Sequence, residues 1–307
     1  MTMTIGFIGL GVMGYPMAGH LANAGRSGDA KGQNLSSAPL FRVRVWNRTF
    51  AKAEQWAQTY PGVAAATIAE AVAGADIVFT CVGADKDLIA VYEGANGIIT
   101  NVKEGAILVD HTTASASVAE RLAEAAGKRN LGFIDAPVSG GQKGAEDGQL
   151  TIMCGGNKSD FTKVRPVMEH YARALNLMGP AGCGQKTKMV NQIAIAGLIQ
   201  GLSEALHFAE QANLDVHKVI DVISKGAAQS WQMDNRSETM IDGKFDYGFA
   251  VDWMRKDLGI CLDEARKVNA SLPVTALVDQ FYGDVQQMGG HRWDTSSLIQ
   301  RLRKFRS

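Results

Sequence analysis

Lys188 is the residue of this sequence that is best placed by its neighbours to move a proton. It ends the run Gly182-Cys183-Gly184-Gln185-Lys186-Thr187-Lys188, which opens a long apolar stretch. On a helix, Asn191 and Gln192 lie three and four positions further on, so the three side chains share one face and could point into one cleft. A lysine of ordinary pKa, ~10.4, donates a proton at neutral pH without any shift of that pKa, whereas a lysine that acts as a base at this pH requires burial or a neighbouring positive charge. Lys186 falls on a different face, and we expect it to be exposed to solvent.

A second chemically suggestive run is Ser139-Gly140-Gly141, which follows a short apolar segment. It offers a hydroxyl and main-chain N–H groups that no side chain obstructs. Such groups can hold a carboxylate without a formal positive charge. A glycine turn that merely ends a strand is the alternative interpretation.

The third motif is Gly9-Leu10-Gly11-Val12-Met13-Gly14, which directly follows the apolar segment Ile5-Gly6-Phe7-Ile8. A GxGxxG motif between a strand and a helix is typical of dinucleotide binding. Gly9 permits the tight turn, Gly11 lets the main chain approach a pyrophosphate, and Gly14 lets the helix lie close to the strand. A purely structural glycine turn is the weaker alternative.

The end of the second strand indicates which dinucleotide would bind. An enzyme that uses NAD places a carboxylate there, whereas one that uses NADP accommodates the 2′-phosphate, often through arginine. The sequence has Asn47-Arg48-Thr49 at this point. The Arg48 guanidinium could bind a phosphate, with hydrogen bonds from Asn47 and Thr49, so NADP is favoured over NAD. Val82, at the end of a later strand, is a further expected cofactor contact, and a solvated Arg48 is the alternative.

The elements that must position these motifs divide the chain into two halves. Short β-rich runs alternate with helical patterns in the first half, which predicts a doubly wound parallel sheet covered by helices. The expected strands are 5–8, 42–46, 76–82, 106–110 and 132–135. After about Gly179 the pattern is entirely helical, so we expect a Rossmann domain over 1–180 and an all-α domain over 181–307. Residues 26–40 read as an inserted surface loop.

Composition excludes several classes of protein. The 307-residue chain has 31 basic and 31 acidic residues, so no nucleic-acid partner is expected. Its four cysteines are widely spaced and its six histidines form no ligand-spaced set, which predicts neither a disulfide framework nor a metal site. We find no export signal and no membrane span, and we expect a cytoplasmic protein.

Four ordered motifs resemble the β-hydroxyacid dehydrogenases, the family that contains 3-hydroxyisobutyrate dehydrogenase and tartronate semialdehyde reductase. The resemblance covers essentially the whole chain. Its motifs are the runs 6–14, 135–141, 182–188 and Lys256-Asp257-Leu258. The resemblance implies an NAD(P)-dependent dehydrogenase or reductase acting on CH–OH groups, with its active site in a cleft between the two domains and assembly as a homodimer or homotetramer through the helical domain.

The resemblance also implies roles for single residues. Lys188 would be the general acid or base for the substrate hydroxyl, and an amide would bind the same oxygen. The family often has asparagine four positions after the lysine, whereas here Asn191 is third and Gln192 fourth, so either amide could serve. Thr113 would contact cofactor or substrate, and Lys256 would close over the cofactor. His111, in a place where the family usually has another residue, is expected to be a strand-end packing residue, and Asp257 is expected to form an ion pair.

The predicted reaction interconverts a small β-hydroxy acid and its semialdehyde, with reduction favoured as the working direction. Decarboxylating relatives carry a glutamate seven positions after the lysine, where this chain has Ile195. Imine reductases of the same fold usually replace the lysine, so Lys188 argues against that alternative. A catalytically silent NADP-binding protein is the remaining alternative.

Overall fold

A computed structural model describes residues 2–25 and 39–304 of the chain. The structure divides into two units, Met1–Lys188 and Met189–Ser307. The predicted division between residues 180 and 181 lies just before the helix Cys183–Gln211, which contains the boundary between the two units. That division stays a prediction. Of the expected surface loop 26–40, residues 26–38 lie outside the described residues.

The first unit is built on a nine-stranded sheet with the order β3-β2-β1-β4-β5-β6-β8-β7, and β9 pairs with β8. Strands β1 to β6 pair in parallel, β8 runs antiparallel to β6 and β7, and β9 is parallel to β8. The strands are β1 Met3–Ile8, β2 Phe41–Trp46, β3 Val63–Ala64, β4 Ile77–Thr80, β5 Ile107–Asp110, β6 Gly132–Asp135, β7 Val138–Ser139, β8 Leu150–Gly156 and β9 Ala172–Gly179.

Both faces of the sheet are covered because the central strands are apolar on both sides. In β4, Ile77 and Phe79 join one core cluster while Val78 joins the other. Such alternation follows from the two-residue period of a strand. The covering helices are α1 Gly14–Asn23, α2 Phe50–Thr59, α3 Ile68–Val72, α4 Asp85–Glu93, α5 Ile98–Asn101, α6 Ala116–Gly127, α7 Gly141–Glu146 and α8 Lys158–Met168.

The parallel strands end at one edge of the sheet. The register pairs Ile8 with Trp46 and with Thr80, and it pairs Asp110 with Thr80 and with Asp135. The strand order reverses between β1 and β4, which is where doubly wound folds bind their ligands. The motifs predicted from sequence therefore follow strands that end side by side.

Helices make up the second unit. Helix α9, Cys183–Gln211, begins in the first unit and continues into the second. It is followed by α10 Val216–Ile223, α11 Trp231–Ile241, α12 Val251–Val268, α13 Pro273–Gln287 and, after a 3-10 turn at Thr295–Ser297, α14 Leu298–Lys304. One core of this unit packs α9 against α12 and α13 through Ile199, Leu258 and Tyr282. Asp215 and Ser230 cap α10 and α11 by accepting main-chain N–H bonds.

The predicted fold class, a Rossmann-type sheet followed by an all-α region, is confirmed. The structure adds strands that the sequence patterns did not indicate, chiefly β8 and β9, and β8 makes one end of the sheet antiparallel. Over residues 2–25 and 39–304, the helices include none with the length and apolar character that crossing a membrane would need.

Candidate active site

The turn after β1 has the geometry that close approach of a ligand requires. Gly9 has φ +99°, and a Cβ placed there would overlap the main-chain oxygen of Cys81. A Cβ on Gly14 would overlap the Gly9 oxygen, whereas one on Gly11 would meet open space. Glycine is thus obligatory at two positions, and main chain is openly accessible at the third. The arrangement fits a dinucleotide pyrophosphate at the start of α1, whose N-cap residue, Met13, makes no side-chain cap.

Asn47 supports this turn from the end of β2. Its Oδ1 accepts a hydrogen bond from the Leu10 N–H at 3.0 Å, and its Nδ2 donates to the Thr49 oxygen at 3.1 Å. Both ends of the amide are thereby engaged within the protein. Asn47 joins the cofactor turn to the strand end on which Arg48 lies.

The Arg48 side chain is 87% exposed at the sheet edge. Its Nη1 lies 3.4 Å from Oδ1 of Asp87 on α4. An exposed ion pair of this kind contributes about 0–1 kcal/mol, so it holds the guanidinium only weakly.

Thr113 lies in the loop after β5, and the Gln185 side chain binds the main chain of the residues on both sides of it. The Gln185 amide donates to the Thr112 oxygen at 2.7 Å and accepts from the Ala114 N–H at 3.0 Å. The Thr112 hydroxyl in turn accepts from the Val82 N–H at 3.0 Å. The loops after β4 and β5 are thus joined to the first turn of α9, a link that no sequence pattern indicated.

The Ser139-Gly140-Gly141 run leaves the sheet at the end of β7. Gly140 and Gly141 have φ of +135° and +63°, values that favour glycine. Ser139 pairs with Thr151 of β8, and a Cβ at Gly141 would meet open space. Glycine is therefore required by the backbone here, and its main chain is accessible.

Asp135, at the end of β6, opens the motif 135–141, and no role for this residue was predicted from sequence. It is fully buried, and its two carboxylate oxygens accept from the N–H groups of Gly182 and Gln185 at 2.8 and 2.9 Å. Burial raises the pKa of Asp135, and these N–H bonds oppose the rise. Lys188, one helical turn after Gln185, is only 7% exposed.

The neighbouring Lys186 behaves differently. Its ammonium lies 3.0 Å from a Glu120 carboxylate oxygen, and its side chain is about half exposed. The two lysines of the motif thus occupy distinct surroundings, as their spacing predicted.

In the helical unit, Asp257 contacts two of the residues predicted from sequence, Gln192 and Lys256, and Gln192 in turn contacts a third, Asn191. Gln192 donates through Nε2 to Asp257 Oδ2 at 2.6 Å, and Asn191 Nδ2 donates to Gln192 Oε1 at 2.8 Å. Lys256 Nζ lies 3.0 Å from Asp257 Oδ1 and 5.8 Å from the ring centre of Trp253. The ion pair expected of Asp257 is confirmed, and this carboxylate is 2% exposed.

His111 is a packing residue, as expected from sequence. Its Nδ1 lies 2.7 Å from the Ala136 oxygen and its Nε2 lies 2.8 Å from the Tyr171 hydroxyl, while its ring stacks on Phe79. A carbonyl oxygen can only accept, so Nδ1 carries the proton and Nε2 accepts from Tyr171. Burial lowers the pKa of His111 to about 4, so the ring is neutral at physiological pH.

Its neighbour Asp110 is also buried, but burial shifts the pKa of this carboxyl in the opposite direction. One oxygen accepts from the Thr80 hydroxyl at 2.7 Å and from the Thr112 N–H at 3.0 Å. Burial raises the pKa of Asp110 to about 7, against the lowering effect of these hydrogen bonds.

Among residues 2–25 and 39–304, His, Cys, Asp and Glu side chains form no cluster able to hold a metal ion.

Comparison with known proteins matches both parts of the chain to families. The model described as the NAD binding domain of 6-phosphogluconate dehydrogenase matches residues 4–179. The model described as the NAD-binding of NADP-dependent 3-hydroxyisobutyrate dehydrogenase matches residues 182–302. Together they span both units.

Individual relatives agree over nearly the full length. The chain is 58% identical to an uncharacterized oxidoreductase of Shewanella frigidimarina, over 99% of each protein. It is 32% identical to 2-hydroxy-3-oxopropionate reductase of Escherichia coli, over 98% of this chain and 97% of the relative. The solved structure of Mycobacterium tuberculosis 3-hydroxyisobutyrate dehydrogenase with L-serine superimposes with a TM-score of 0.84 at 28% identity, covering 99% of this chain and 100% of the other. The chain therefore belongs to the β-hydroxyacid dehydrogenase family and is an NAD(P)-dependent oxidoreductase that acts on CH–OH groups.

Proposed function

We propose that this protein is an NADP-dependent enzyme that interconverts a small β-hydroxy acid and its semialdehyde, with Lys188 as the general acid or base. The observation that carries the proposal is the burial of Lys188 in the first turns of α9, in the same unit as the accessible glycine main chain after β7. Burial removes competing water from the ammonium and strengthens its interaction with a substrate oxygen.

Each group has a defined task in this reaction. The Ser139–Gly141 segment binds the substrate carboxylate, and the amide of Asn191 or Gln192 binds the reacting oxygen. When bound, the nicotinamide ring supplies the hydride in reduction and accepts it in oxidation. Lys188 donates a proton to the developing alkoxide in reduction and takes the hydroxyl proton in oxidation, which balances the charge at that oxygen.

The preference for NADP rests on the end of β2. Arg48 is held only by a surface ion pair, so its guanidinium can turn to a 2′-phosphate at little cost. The family whose model matches the helical part is itself described as NADP-dependent. Gly9 to Gly14, Asn47, Arg48, Thr49, Val82, Thr113 and Lys256 are the proposed cofactor contacts.

The proposed substrate is small, and one carbon atom separates its carboxylate from the carbon that is oxidised. The names of two relatives support this class, because one reduces 2-hydroxy-3-oxopropionate, which is tartronate semialdehyde, and the other oxidises 3-hydroxyisobutyrate. A screen of tartronate semialdehyde, methylmalonate semialdehyde, succinic semialdehyde, glyoxylate and serine, each with NADP(H) and NAD(H), identifies the substrate and the preferred cofactor together.

We also propose assembly as a homodimer or homotetramer through the helical region and a reducing, cytoplasmic setting. Exposed apolar side chains on α9, Val190, Leu198 and Phe208, support the first, and the free thiols of all four cysteines support the second. Light scattering of the purified protein measures the oligomeric state.

The decisive experiment compares two lysines of one motif. Lys188→Met should lower kcat by roughly 10²- to 10⁴-fold, the usual worth of a general acid or base, while NADPH binding persists. Lys186→Met, which removes the surface ion pair with Glu120, should keep kcat within about twofold. Steady-state kinetics with NADPH fluorescence titration measures both. Full turnover by Lys188→Met, or equal losses in both variants, would contradict the proposal.

A further inference from the structure

Three segments of the candidate site come together at the first turn of α9. One is the loop of residues 112–114, the second begins at Asp135 and leads to Ser139–Gly141, and the third is 182–188 with Lys188 at its end. All three belong to the same unit. Two buried side chains join them, and neither has a proposed contact with substrate or cofactor.

Asp135 joins the second segment to the third. A helix begins with N–H groups that lack partners inside the helix, and the buried Asp135 carboxylate accepts two of them, from Gly182 and Gln185. A negative charge is also favoured at this end of a long helix. The fit is close, because a Cβ on Gly184 would lie 2.5 Å from the main-chain oxygens of Asp135 and Met153. The start of α9 is therefore fixed against β6 and β8.

Gln185 joins the first segment to the third. It is 1% exposed, and its amide bonds to both main-chain neighbours of Thr113, donating to Thr112 and accepting from Ala114. One planar amide with both ends engaged fixes the loop in distance and in orientation. The same residue gives its main-chain N–H to Asp135. Gln185 is thus the point at which the three segments meet.

The consequence falls on Lys188, which follows Gln185 by three residues, a little less than one helical turn. The Cα of Lys188 can move only if the first turn of α9 moves. That turn is attached on one side to the segment before Ser139 and on the other to the loop around Thr113. A displacement of about 1 Å at a reacting group can cost about 10²-fold in rate.

We infer that Asp135 and Gln185 are positioning residues, which set Lys188 relative to the carboxylate-binding segment and to Thr113. The inference rests on the proposed function and adds two residues to it. It differs from a role in folding alone, because it requires a loss of rate in molecules that remain folded and still bind NADPH.

The test replaces Gln185 by methionine, which keeps the length of the side chain and removes both amide hydrogen bonds. Gln200→Met is the matched control, since Gln200 is also a buried glutamine of α9 but donates only to Glu204, one turn along the same helix. Turnover is expressed per NADPH-binding site, so that any unfolded fraction cancels. We expect kcat of Gln185→Met to fall about 10- to 100-fold and that of Gln200→Met to stay within about twofold.

The pH profile of kcat supplies a second readout. A displaced Lys188 lies in a different electrostatic environment. The alkaline limb of the kcat profile should therefore shift in Gln185→Met and not in Gln200→Met. Asp135→Asn, in which an amide can accept at only one of its two ends, should act in the same direction. Its control is Asp215→Asn at the exposed cap of α10. Asp135→Asn replaces Gln185→Met as the test variant if Gln185→Met does not fold.

The outcomes separate this inference from the function on which it rests. If Lys188→Met is inactive but Gln185→Met turns over normally per NADPH-binding site, only the positioning role is wrong. Equal losses in Gln185→Met and Gln200→Met, or failure of both Gln185→Met and Asp135→Asn to fold, would also overturn it. If the wild type turns over no hydroxy acid or semialdehyde, the proposed function fails and the inference fails with it.

Discussion

The N-terminal unit and the helical unit hold their candidate site groups by different means. In the first, glycine main chain is exposed by backbone geometry at Gly11 and Gly141, and a buried carboxylate, Asp135, fixes the neighbouring helix through N–H bonds. In the second, side chains hold one another, with Asp257 binding both Gln192 and Lys256. Main-chain sites are set by the fold, whereas side-chain sites depend on single residues. Substitutions should therefore affect the two units unequally.

The largest effect is expected in the helical unit, from Asp257→Asn. The new amide carries no charge to pair with Lys256, and only one of its ends can accept from Gln192, so its NH2 group is left facing either the Gln192 amide or the Lys256 ammonium. We expect kcat/KM to fall about 10²-fold, together with weaker NADPH binding. Kinetics and fluorescence titration measure the two effects.

Asp279→Asn is the control for Asp257→Asn. It breaks a comparable ion pair, with Arg255, in the same unit, but it touches no proposed site residue. Similar losses of Tm and dissimilar losses of activity would support the contrast between the units. Equal losses of activity would show that Asp257 only stabilises the helices.

A smaller effect is expected in the N-terminal unit from Ser139→Ala. The main-chain N–H groups remain in this variant, so the substrate carboxylate loses only one of its hydrogen bonds. KM should rise about tenfold while kcat changes little. Ser117→Ala, on the exposed start of α6, is the control, and steady-state kinetics measures both. A loss beyond 100-fold would mean that the hydroxyl, rather than the main chain, binds the carboxylate.

The smallest effect concerns stability, through Asp110. Its pKa is about 7 in the folded protein and ~3.9 in an unfolded chain. Between these values the folded state holds a proton that the unfolded state has released, so stability falls as pH rises from about 4 to about 7 and stays low above that. Asn imitates the neutral acid at every pH.

The measurement is the difference in Tm between Asp110→Asn and wild type, at pH 5 and at pH 8. We expect this difference to be a few degrees more favourable to the variant at pH 8, of the order that about 1–2 kcal/mol produces. The opposite proton linkage of His111 is present in both proteins and cancels. A difference independent of pH would show that Asp110 is ionised throughout.

The features that sequence predicted well are those whose signals are local. A glycine turn between Ile8 and α1 requires only neighbouring residues, and a strand such as Ile77–Thr80 is apolar enough to be recognised alone. The helical half has the same property, since the period of α12 and α13 is visible in each segment separately. The fold class follows from such local patterns.

The missed features depend on distant partners. Asp135 and Gln185 are separated from their partners by about 50 to 70 residues, and a single sequence does not show which N–H groups a buried carboxylate meets. The available signal was a charged residue ending the buried strand Gly132–Asp135. Strand β9 was missed because most of its side chains are at least partly exposed, and β8 because it ends in two glycines.

The boundary between the two units has a practical consequence for anyone who divides this protein. It falls between Lys188 and Met189, inside the 29-residue helix α9. Proteases cleave extended, exposed segments, so limited digestion should not separate the chain at that peptide bond. A gene cut there would leave the first six residues of the helix on one fragment and the other 23 on the second, with broken hydrogen bonds at the new ends. Division between residues 180 and 181 would leave the helix whole.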